Sequence, residues 1–366
     1  MTQSAKRFLS PTVNRLIPYV PGEQPQIEGL IKLNTNENPY PPSEAALRAM
    51  REAVGPLLRL YPDPAASKLK NSIARLHRIS PAQVFVGNGS DEVLAFTFQG
   101  LLSREGGCAF PAISYSFYPV YCQLYGITPL PFALNEDFSV PLHRASEGAA
   151  CLIVPNPNAP TGMALPAESI AVFAHSRPAT LVVVDEAYVD FGAESCIGLV
   201  NRFDNLMVVQ TLSKSRALAG LRVGFAVGPA ELIEALERIK NSFNSYTLDR
   251  IAIAGAVAAI EDEAWFRQNR SRVIESRAWL HRALVACGMQ VLPSLANFVF
   301  ARHPALAGAT LAAALRERRI LVRHFAKPGI EDFLRITVGT EDECAALLGA
   351  LREILEQGLQ AFDHPH

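Results

Sequence analysis

Residues 181–188 read LVVVDEAY, and residues 207–216 read MVVQTLSKSR. Each stretch begins with a continuous apolar run, which is typical of a strand buried on both faces of a parallel sheet. Asp185 ends the first run, and Lys214 lies just beyond the end of the second. Because parallel strands end at the same edge of a sheet, we expect this acid and this lysine to face one crevice. The two stretches therefore predict an α/β fold with a functional site at that edge.

An acid and a lysine in this arrangement are the pair that pyridoxal phosphate (PLP) requires. The lysine forms a Schiff base with the cofactor, and the acid keeps the pyridine nitrogen protonated. In this interpretation Asp185 pairs with the ring nitrogen, Tyr188 reaches the ring hydroxyl, and Arg222 neutralises the cofactor phosphate. Either Asp185 or Lys214 alone would indicate only an ordinary sheet end, since Asp commonly caps the helix that follows a strand.

Composition and charge narrow the class of protein. The chain has 366 residues, 49% hydrophobic and 19% charged, as in a globular protein with a large core. A formal net charge of −1 argues against nucleic-acid and anionic-membrane partners. The six cysteines contain no Cys-x-x-Cys motif and the eight histidines form no ligand-spaced cluster, so we expect no metal and free thiols in a reducing compartment. With no apolar core after the first residues, no signal peptide is expected and a cytoplasmic location is predicted.

The pattern along the chain predicts two domains and an arm. Residues 1–64 hold ten of the 26 prolines and little periodicity, which suggests an extended arm lying on the rest of the molecule. Apolar runs alternate with helical patterns from about 68 to 260, as expected for a mostly parallel sheet between helices. Beyond 263 the pattern becomes α+β. We therefore predict a large, PLP-binding domain (31–262), a smaller C-terminal domain (263–366) and an N-terminal arm (1–30) that packs with the small domain.

A phosphate site is suggested at residues 87–92, GNGSDE, which follow a strand and open a helix. Free N–H groups at a helix N-terminus favour an anion, and glycine permits close backbone approach. The motif is not a dinucleotide fingerprint, because Glu92 stands where the third glycine would be. Alone it fits a capped turn equally well. Together with Ser213 and Arg222 it forms one side of a phosphate cup.

Two further features are candidate ligand contacts when they are considered together with Lys214. Residues 155–162, PNPNAPTG, form a proline-rich loop after a strand, and an Asn there can bond a ligand from a rigid support. A simple tight turn is the alternative. Tyr115 is placed to stack on a flat cofactor, although an aromatic core stripe explains it equally well.

Beyond these patterns, the chain resembles the fold-type I PLP-dependent aminotransferases, and within them the histidinol-phosphate aminotransferases. The resemblance covers nearly the whole chain. The Asp, Lys and Arg motifs are shared by the superfamily, whereas the N-terminal and C-terminal ones point to the subfamily. Its markers are PYVPG (18–22), LNTNENP (33–39), RLYPD (59–63), GSD (89–91), DEAY (185–188), TLSK (211–214), GLRVG (220–224) and LRITVG (334–339).

The resemblance implies a role for each matching residue. Lys214 would carry the cofactor and then move a proton as the base, while Asp185 and Tyr188 would bond the ring nitrogen and the ring hydroxyl. Tyr115 would stack on the ring. The residues around the cofactor phosphate would be Gly89, Ser90, Asp91, Ser213 and Arg222. One position departs from the pattern: the Asn usual directly before the last proline of the loop is Ala159 here, so either Asn158 takes that role or Tyr188 acts alone.

The resemblance also implies how substrate and partner bind. Arg335 would hold the anionic group of the substrate, with Tyr19 and Arg323 nearby. Tyr61 would reach the phosphate bound by a neighbouring subunit, which implies a homodimer with active sites at its interface. Small molecules are the expected partners, and neither nucleic acid nor membrane is expected.

The reaction this implies is reversible amino transfer between histidinol phosphate and 2-oxoglutarate, giving imidazole-acetol phosphate and glutamate in histidine biosynthesis. An aromatic amino-acid aminotransferase and a threonine-phosphate decarboxylase share the same motifs and stay open as alternatives, because substrate pockets depend on few side chains. A non-catalytic PLP-fold binding protein is a remote alternative.

Overall fold

Apolar strands form two sheets in a computed structural model of the chain, which describes residues 5–102 and 105–363. The strands are β1 (Ile31–Leu33), β2 (Val84–Gly87), β3 (Cys108–Pro111), β4 (Pro129–Phe132), β5 (Cys151–Pro155), β6 (Leu181–Asp185), β7 (Leu206–Thr211), β8 (Gly224–Val227), β9 (Gln290–Val291), β10 (Phe298–Arg302), β11 (Ile320–His324) and β12 (Leu334–Thr337). The α-helices are α1 (Pro11–Arg15), α2 (Glu44–Ala53), α3 (Ser67–His77), α4 (Gly89–Gly100), α5 (Tyr118–Tyr125), α6 (Ala167–Ser176), α7 (Ala230–Phe243), α8 (Arg250–Glu261), α9 (Glu263–Ala286), α10 (Gly308–Glu317) and α11 (Glu341–Asp363).

The larger sheet has seven strands in the order β2-β8-β7-β6-β5-β3-β4. Its strands are parallel from β4 to β7, while β8 runs antiparallel to both β7 and β2. Asp185 on β6 lies beside Pro155 of β5 and Val209 of β7. The carboxyl ends of these central strands therefore meet where Asp185 ends its strand, as the sequence predicted.

Both faces of this sheet are covered. Successive side chains of a strand point to opposite faces, and Val182 and Val184 of β6 belong to one hydrophobic cluster whereas Val183 belongs to another. All three valines are fully buried. The continuous apolar run of β6 is thus explained by burial on both faces, which fixes the ends of β6 and β7 in position.

The second sheet has five strands in the order β1-β11-β12-β10-β9. Strands β10, β11 and β12 pair antiparallel, and β1 joins the edge parallel to β11. Since Ile31 pairs with Ile320, the strand that follows the N-terminal region belongs to the C-terminal sheet. The division into arm, large domain and small domain remains a proposal, and within it residues 31–33 are best grouped with the C-terminal part.

One expectation for the first 64 residues was incomplete, because this proline-rich region also contains the helix α2. Ser43 caps that helix by accepting from the Ala46 N–H at 3.2 Å. The helix packs against α8, where a Cβ added to Gly255 would lie 2.7 Å from Met50 Cγ. Close packing with a helix two hundred residues away therefore stabilises this short amphipathic segment.

Candidate active site

A cavity of about 530 Å³ opens at the carboxyl ends of the central strands. Strands β6 and β7 supply Asp185 and the turn to Lys214, while the second sheet supplies residues of β11 and β12. Most of the residues singled out in the sequence meet here. They are Tyr19, Ser90, Asp91, Tyr115, Asp185, Tyr188, Ser213, Lys214, Arg222, Arg323 and Arg335.

Asp185 is held rigidly at the base of this cavity. Its Oδ2 accepts from the Tyr118 hydroxyl at 2.8 Å and its Oδ1 from the Ala187 N–H at 3.2 Å. Burial raises the pKa of Asp185 to about 6, and both hydrogen bonds oppose that rise by stabilising the charged form. The orientation of the carboxylate is thus fixed through both of its oxygens. Tyr118 was not identified from the sequence, where it is one aromatic residue among several.

Lys214 lies on the turn after β7 with its amine inside the protein. Its Nζ donates to the backbone oxygen of Thr35 at 3.1 Å, and its own carbonyl accepts from Asn38 Nδ2 at 2.9 Å. Burial, and next the nearby Arg335 cation, lower the pKa of Lys214 to about 8. A substantial fraction of this amine is therefore neutral near pH 8, as a nucleophile or proton acceptor must be.

The turn that carries Lys214 is anchored on its far side. Ser215 hydrogen-bonds the carboxylate of Asp190, and the buried Arg216 donates to the Ala259 carbonyl at 2.8 Å. The Arg216 guanidinium also lies 3.6 Å from the ring centroid of Phe266. These contacts tie the lysine turn to helices α8 and α9, so its position does not depend on solvent-exposed groups.

An anion cup forms where α4 begins. Arg222 Nη2 pairs with Asp91 Oδ2 at 3.0 Å and Nη1 approaches Ser213 Oγ at 3.4 Å. Gly89 has φ +79°, and a Cβ there would lie 2.5 Å from Arg222 Nη2, so only glycine lets the guanidinium cover the helix start. Hydroxyl, guanidinium and first-turn N–H groups converge in a set suited to a phosphate. The residues present therefore fit PLP, with Lys214 and Asp185 available for its other end.

The Asp91 side chain has an orienting role inside this cup. Besides pairing with Arg222, it accepts from the Tyr115 hydroxyl at 2.8 Å. Burial, and next the charge of Asp91, raise the pKa of Tyr115 well above its ordinary value, so this ring stays neutral. Tyr115 thus lines the cavity in a fixed orientation, as its predicted stacking role requires.

The proline-rich loop places Asn158 away from the cavity lining. The Asn158 side chain is fully buried and donates to the Ile113 carbonyl at 3.0 Å and to Thr161 Oγ1 at 3.1 Å. The cavity is lined instead by Ala159. Both N–H groups of the Asn158 amide are therefore used by Ile113 and Thr161, although its Oδ1 has no partner among the described residues. Because no donor of Asn158 is left over, the geometry favours the second of the two possibilities drawn from the sequence, in which Tyr188 acts without it.

Two arginines form a second cationic region. Arg323 and Arg335 are paired neighbours on β11 and β12. Arg335 Nη2 donates to the Asn34 carbonyl at 2.8 Å, while its buried Nε has no hydrogen-bond partner among the described residues. Tyr19 stacks on Phe117 with ring centroids 4.6 Å apart. This region can receive an anionic group separate from the one held by Arg222.

Tyr61 lies outside the cavity of its own chain. Its side chain is 78% exposed and stacks on Tyr246, with ring centroids 4.5 Å apart. Like Asn158, Tyr61 is a predicted site residue that does not line the cavity of its own chain.

Metal and membrane features are not found in the described part of the chain. Within residues 5–102 and 105–363, no group of His, Cys, Asp and Glu is arranged to hold a metal ion. Over the same residues, every helix is too short or too polar to cross a bilayer.

Comparison with known families places this site in a class of enzymes. Residues 28–351 match the profile of the family Aminotransferase class I and II. The chain belongs to this family of aminotransferases, and within it to the histidinol-phosphate aminotransferases. It is 59% identical over 349 residues to Histidinol-phosphate aminotransferase 1 of Bradyrhizobium diazoefficiens, covering 95% of this chain and 99% of that protein. Histidinol-phosphate aminotransferase 2 of Rhizobium meliloti shows the same identity and coverage.

The fold has close counterparts among solved structures. A histidinol-phosphate aminotransferase from Sinorhizobium meliloti, solved in complex with pyridoxal-5'-phosphate, superimposes with a TM-score of 0.83 at 24% identity, over 96% of this chain and 98% of that one. The predicted family, the fold-type I architecture and the enzyme class, a PLP-dependent aminotransferase, are confirmed.

Proposed function

We propose that this chain transfers an amino group reversibly between histidinol phosphate and 2-oxoglutarate in histidine biosynthesis, with PLP held at Lys214. The names of the relatives at 57–59% identity support the substrate. The observation that carries the proposal is the presence of two separate cationic regions in one cavity with Lys214. Arg222 belongs to the cup at the start of α4, and Arg335 belongs to the second sheet.

The residues of the cavity would bind and orient PLP. PLP, when bound, supplies a conjugated ring that withdraws electrons from the substrate's α-carbon. Asp185, whose carboxylate is oriented by Tyr118 and Ala187, would hold a proton on the ring nitrogen. Ser213 and Arg222, with the N–H groups of Ser90 and Asp91, would bind the phosphate of the cofactor. These groups would orient the cofactor before any proton moves.

Proton transfer falls to the Lys214 amine. Its pKa of about 8 leaves it able to accept a proton at neutral pH and return it. A positioned base of this kind contributes about 10²- to 10⁴-fold to a rate. The amine is partly buried inside the cavity and donates to the Thr35 carbonyl, so it lies where a bound substrate would need it.

Arg335 suits a reaction with two amino donors in turn. A guanidinium accepts a carboxylate or a phosphate through two parallel hydrogen bonds. The phosphate of histidinol phosphate and the side-chain carboxylate of glutamate would therefore occupy the same place in alternate half-reactions. Arg323 and Tyr19 line the same part of the cavity.

A homodimer is part of the proposal. Exposed apolar side chains cluster in the segment before α3, and Tyr61 stacks there on Tyr246 outside its own cavity. A second copy covering this surface would bury it and bring Tyr61 to the partner's phosphate cup. The exposed residues are Val54, Leu57, Leu58, Leu60, Tyr61, Phe243 and Tyr246. A cytoplasmic location is proposed as well, in keeping with a biosynthetic enzyme.

Complementation between variants tests this arrangement. Tyr61→Ala and Lys214→Ala proteins, each nearly inactive, are expected to regain activity when mixed, because a hybrid dimer contains one site with both residues intact. Failure to regain activity in a verified hybrid would place Tyr61 outside the partner's site.

The substrate is tested by the visible spectrum of the PLP-loaded protein. Histidinol phosphate, phenylalanine and threonine phosphate are added separately, without a keto acid. We expect rapid loss of the visible band with histidinol phosphate and slow loss with the other two. A preference for phenylalanine would assign the chain to the aromatic aminotransferases, and formation of a decarboxylated amine from threonine phosphate would assign it to the decarboxylases.

A further inference from the structure

The Tyr188 hydroxyl has a neighbour that the sequence analysis did not assign. Asn36 Nδ2 donates to the Tyr188 oxygen at 2.9 Å. Asn36 is 1% exposed and adopts φ +56°, a left-handed conformation that Asn tolerates better than most residues. It lies just after β1, far from Tyr188 in sequence. Such a contact places a buried amide directly behind the side chain expected to bond the cofactor ring.

The direction of this hydrogen bond is fixed by Thr337 on β12. Thr337 Oγ1 accepts from the Asn36 backbone N–H at 3.0 Å and donates to Asn36 Oδ1 at 3.1 Å. Turning the amide over would remove the acceptor of the Thr337 hydroxyl hydrogen. Thr337 is 3% exposed, and no other acceptor for it is found among the described residues. Oδ1 therefore faces Thr337, and the NH₂ group faces Tyr188.

This direction decides what Tyr188 can do. A tyrosine hydroxyl has one hydrogen to donate. Because its oxygen already accepts from Asn36, and no described residue accepts its hydrogen, that hydrogen is available to a group in the cavity. The family pattern has an amide and a tyrosine as donors to the ring hydroxyl. Here Ala159 replaces the amide and the Asn158 donors are used elsewhere, so Tyr188 is the donor that remains.

We propose that Asn36 is a positioning residue, oriented by Thr337, that makes Tyr188 an obligatory donor to the ring hydroxyl oxygen of PLP. The inference rests on the proposed function. Donation from Tyr188 would stabilise a negative charge on the ring oxygen, as an amide at position 159 would otherwise do. Through Asn36 and Thr337, Tyr188 is also connected to the sheet that carries Arg335.

Asn36→Asp reverses the polarity of the contact with little change of shape. The carboxylate at position 36 would accept from Thr337 and from Tyr188, so the Tyr188 hydrogen would turn away from the cavity. Asp, like Asn, tolerates the left-handed backbone conformation. Asn36→Gly is the matched control, since it keeps the backbone conformation and removes the donor without introducing an acceptor. The charged groups that face Tyr188 stay the same in every variant; they are Arg335, Asp185, Asp91 and Lys214.

The measurement is the pH midpoint of the visible spectrum of the PLP-loaded protein, in the parent, Asn36→Asp, Tyr188→Phe and the double variant. Losing a donor to the ring oxygen makes that oxygen more basic, so the midpoint rises. We expect Asn36→Asp to raise it by about one pH unit more in the parent than in the Tyr188→Phe background. Asn36→Gly should shift it much less than Asn36→Asp.

Equal shifts by Asn36→Asp in both backgrounds would overturn the inference, because they would reflect only the added charge. A shift by Asn36→Gly as large as that by Asn36→Asp would overturn it too, by showing a structural effect. These results leave the proposed function intact. If the parent instead forms no visible band with PLP, the cofactor assignment fails, and the inference fails with it.

Discussion

Replacing Tyr118 by Phe tests how the protein keeps a proton on the cofactor ring. Tyr118 is fully buried, and its hydroxyl donates to Asp185 Oδ2 at 2.8 Å. Phenylalanine keeps the ring, which packs edge-on against Tyr115 with centroids 5.6 Å apart, and removes only the hydroxyl. We expect a higher pKa for Asp185, because its charged form loses one of two hydrogen bonds.

The size of this change can be estimated from the contact. A hydrogen bond to a charged group contributes about 1.5–3 kcal/mol, which corresponds to roughly one to two pKa units. Asp185 starts at a pKa of about 6, so the variant would reach roughly 7 to 8. Only the ionised carboxylate pairs with a protonated ring nitrogen. Affinity for PLP should therefore fall below pH 6 in the parent protein, and already below roughly pH 7 to 8 in the variant.

The assay is PLP affinity by fluorescence titration across this pH range. Lys214 also titrates there, but equally in both proteins, so the difference between them isolates Asp185. Tyr125→Phe is the matched control, because Tyr125 ends the same helix α5 and has no hydroxyl contact with Asp185. A Tyr118→Phe profile that coincides with the parent's would refute the reasoning.

Three further predictions concern the charged groups of the cavity. Lys214→Ala should abolish amino transfer and the covalent PLP band. The thermal midpoint of the protein without PLP should stay equal or rise, because a buried amine is removed. A large drop in that midpoint would contradict this. Because the pKa of Lys214 is about 8, covalent attachment of PLP, followed by stopped-flow absorbance, should speed up about tenfold per pH unit below 8 and level off above it; a flat profile would show that deprotonation is not required. Arg335→Lys should weaken both half-reactions, measured separately as single turnovers with histidinol phosphate and with glutamate, since an ammonium cannot form the bidentate pair; a loss confined to one donor would exclude a shared anion site.

Much of the fold follows from local patterns in the sequence. Strands β5, β6 and β7 contain continuous apolar runs, which are typical of strands buried on both faces of a sheet. Strands β3 and β4 were not identified, because they are short and each contains proline. Helix α2 was missed for a different reason: its own residues are amphipathic and Ser43 caps it, but the prolines on either side indicated an extended segment.

In the active site, too, some residues follow from a general rule and others do not. Asp185 and Lys214 could be found because strand ends meet at one edge of a sheet, which is a general rule of topology. Asn36 and Thr337 lie within the marker stretches of the sequence, but their roles, like that of Tyr118, could not be predicted, because they depend on side-chain contacts between distant parts of the chain. Asn36 and Thr337 are 301 residues apart, and no spacing rule connects them.

Ala159 cannot make the contact with the ring hydroxyl that an Asn at this position would make. The sequence alone reveals that an expected amide is missing and leaves Asn158 or Tyr188 to replace it. The structure commits the Asn158 amide to Ile113 and Thr161, and places the Asn36 amide on Tyr188. An amide behind the tyrosine has a different effect from one beside the ring: it determines the direction of the tyrosine's own hydrogen. The contact with the ring oxygen then depends on Tyr188 for its hydrogen and on Asn36 for the direction of that hydrogen. Loss of the Tyr188 hydroxyl, or reversal of the polarity at position 36, should therefore weaken it.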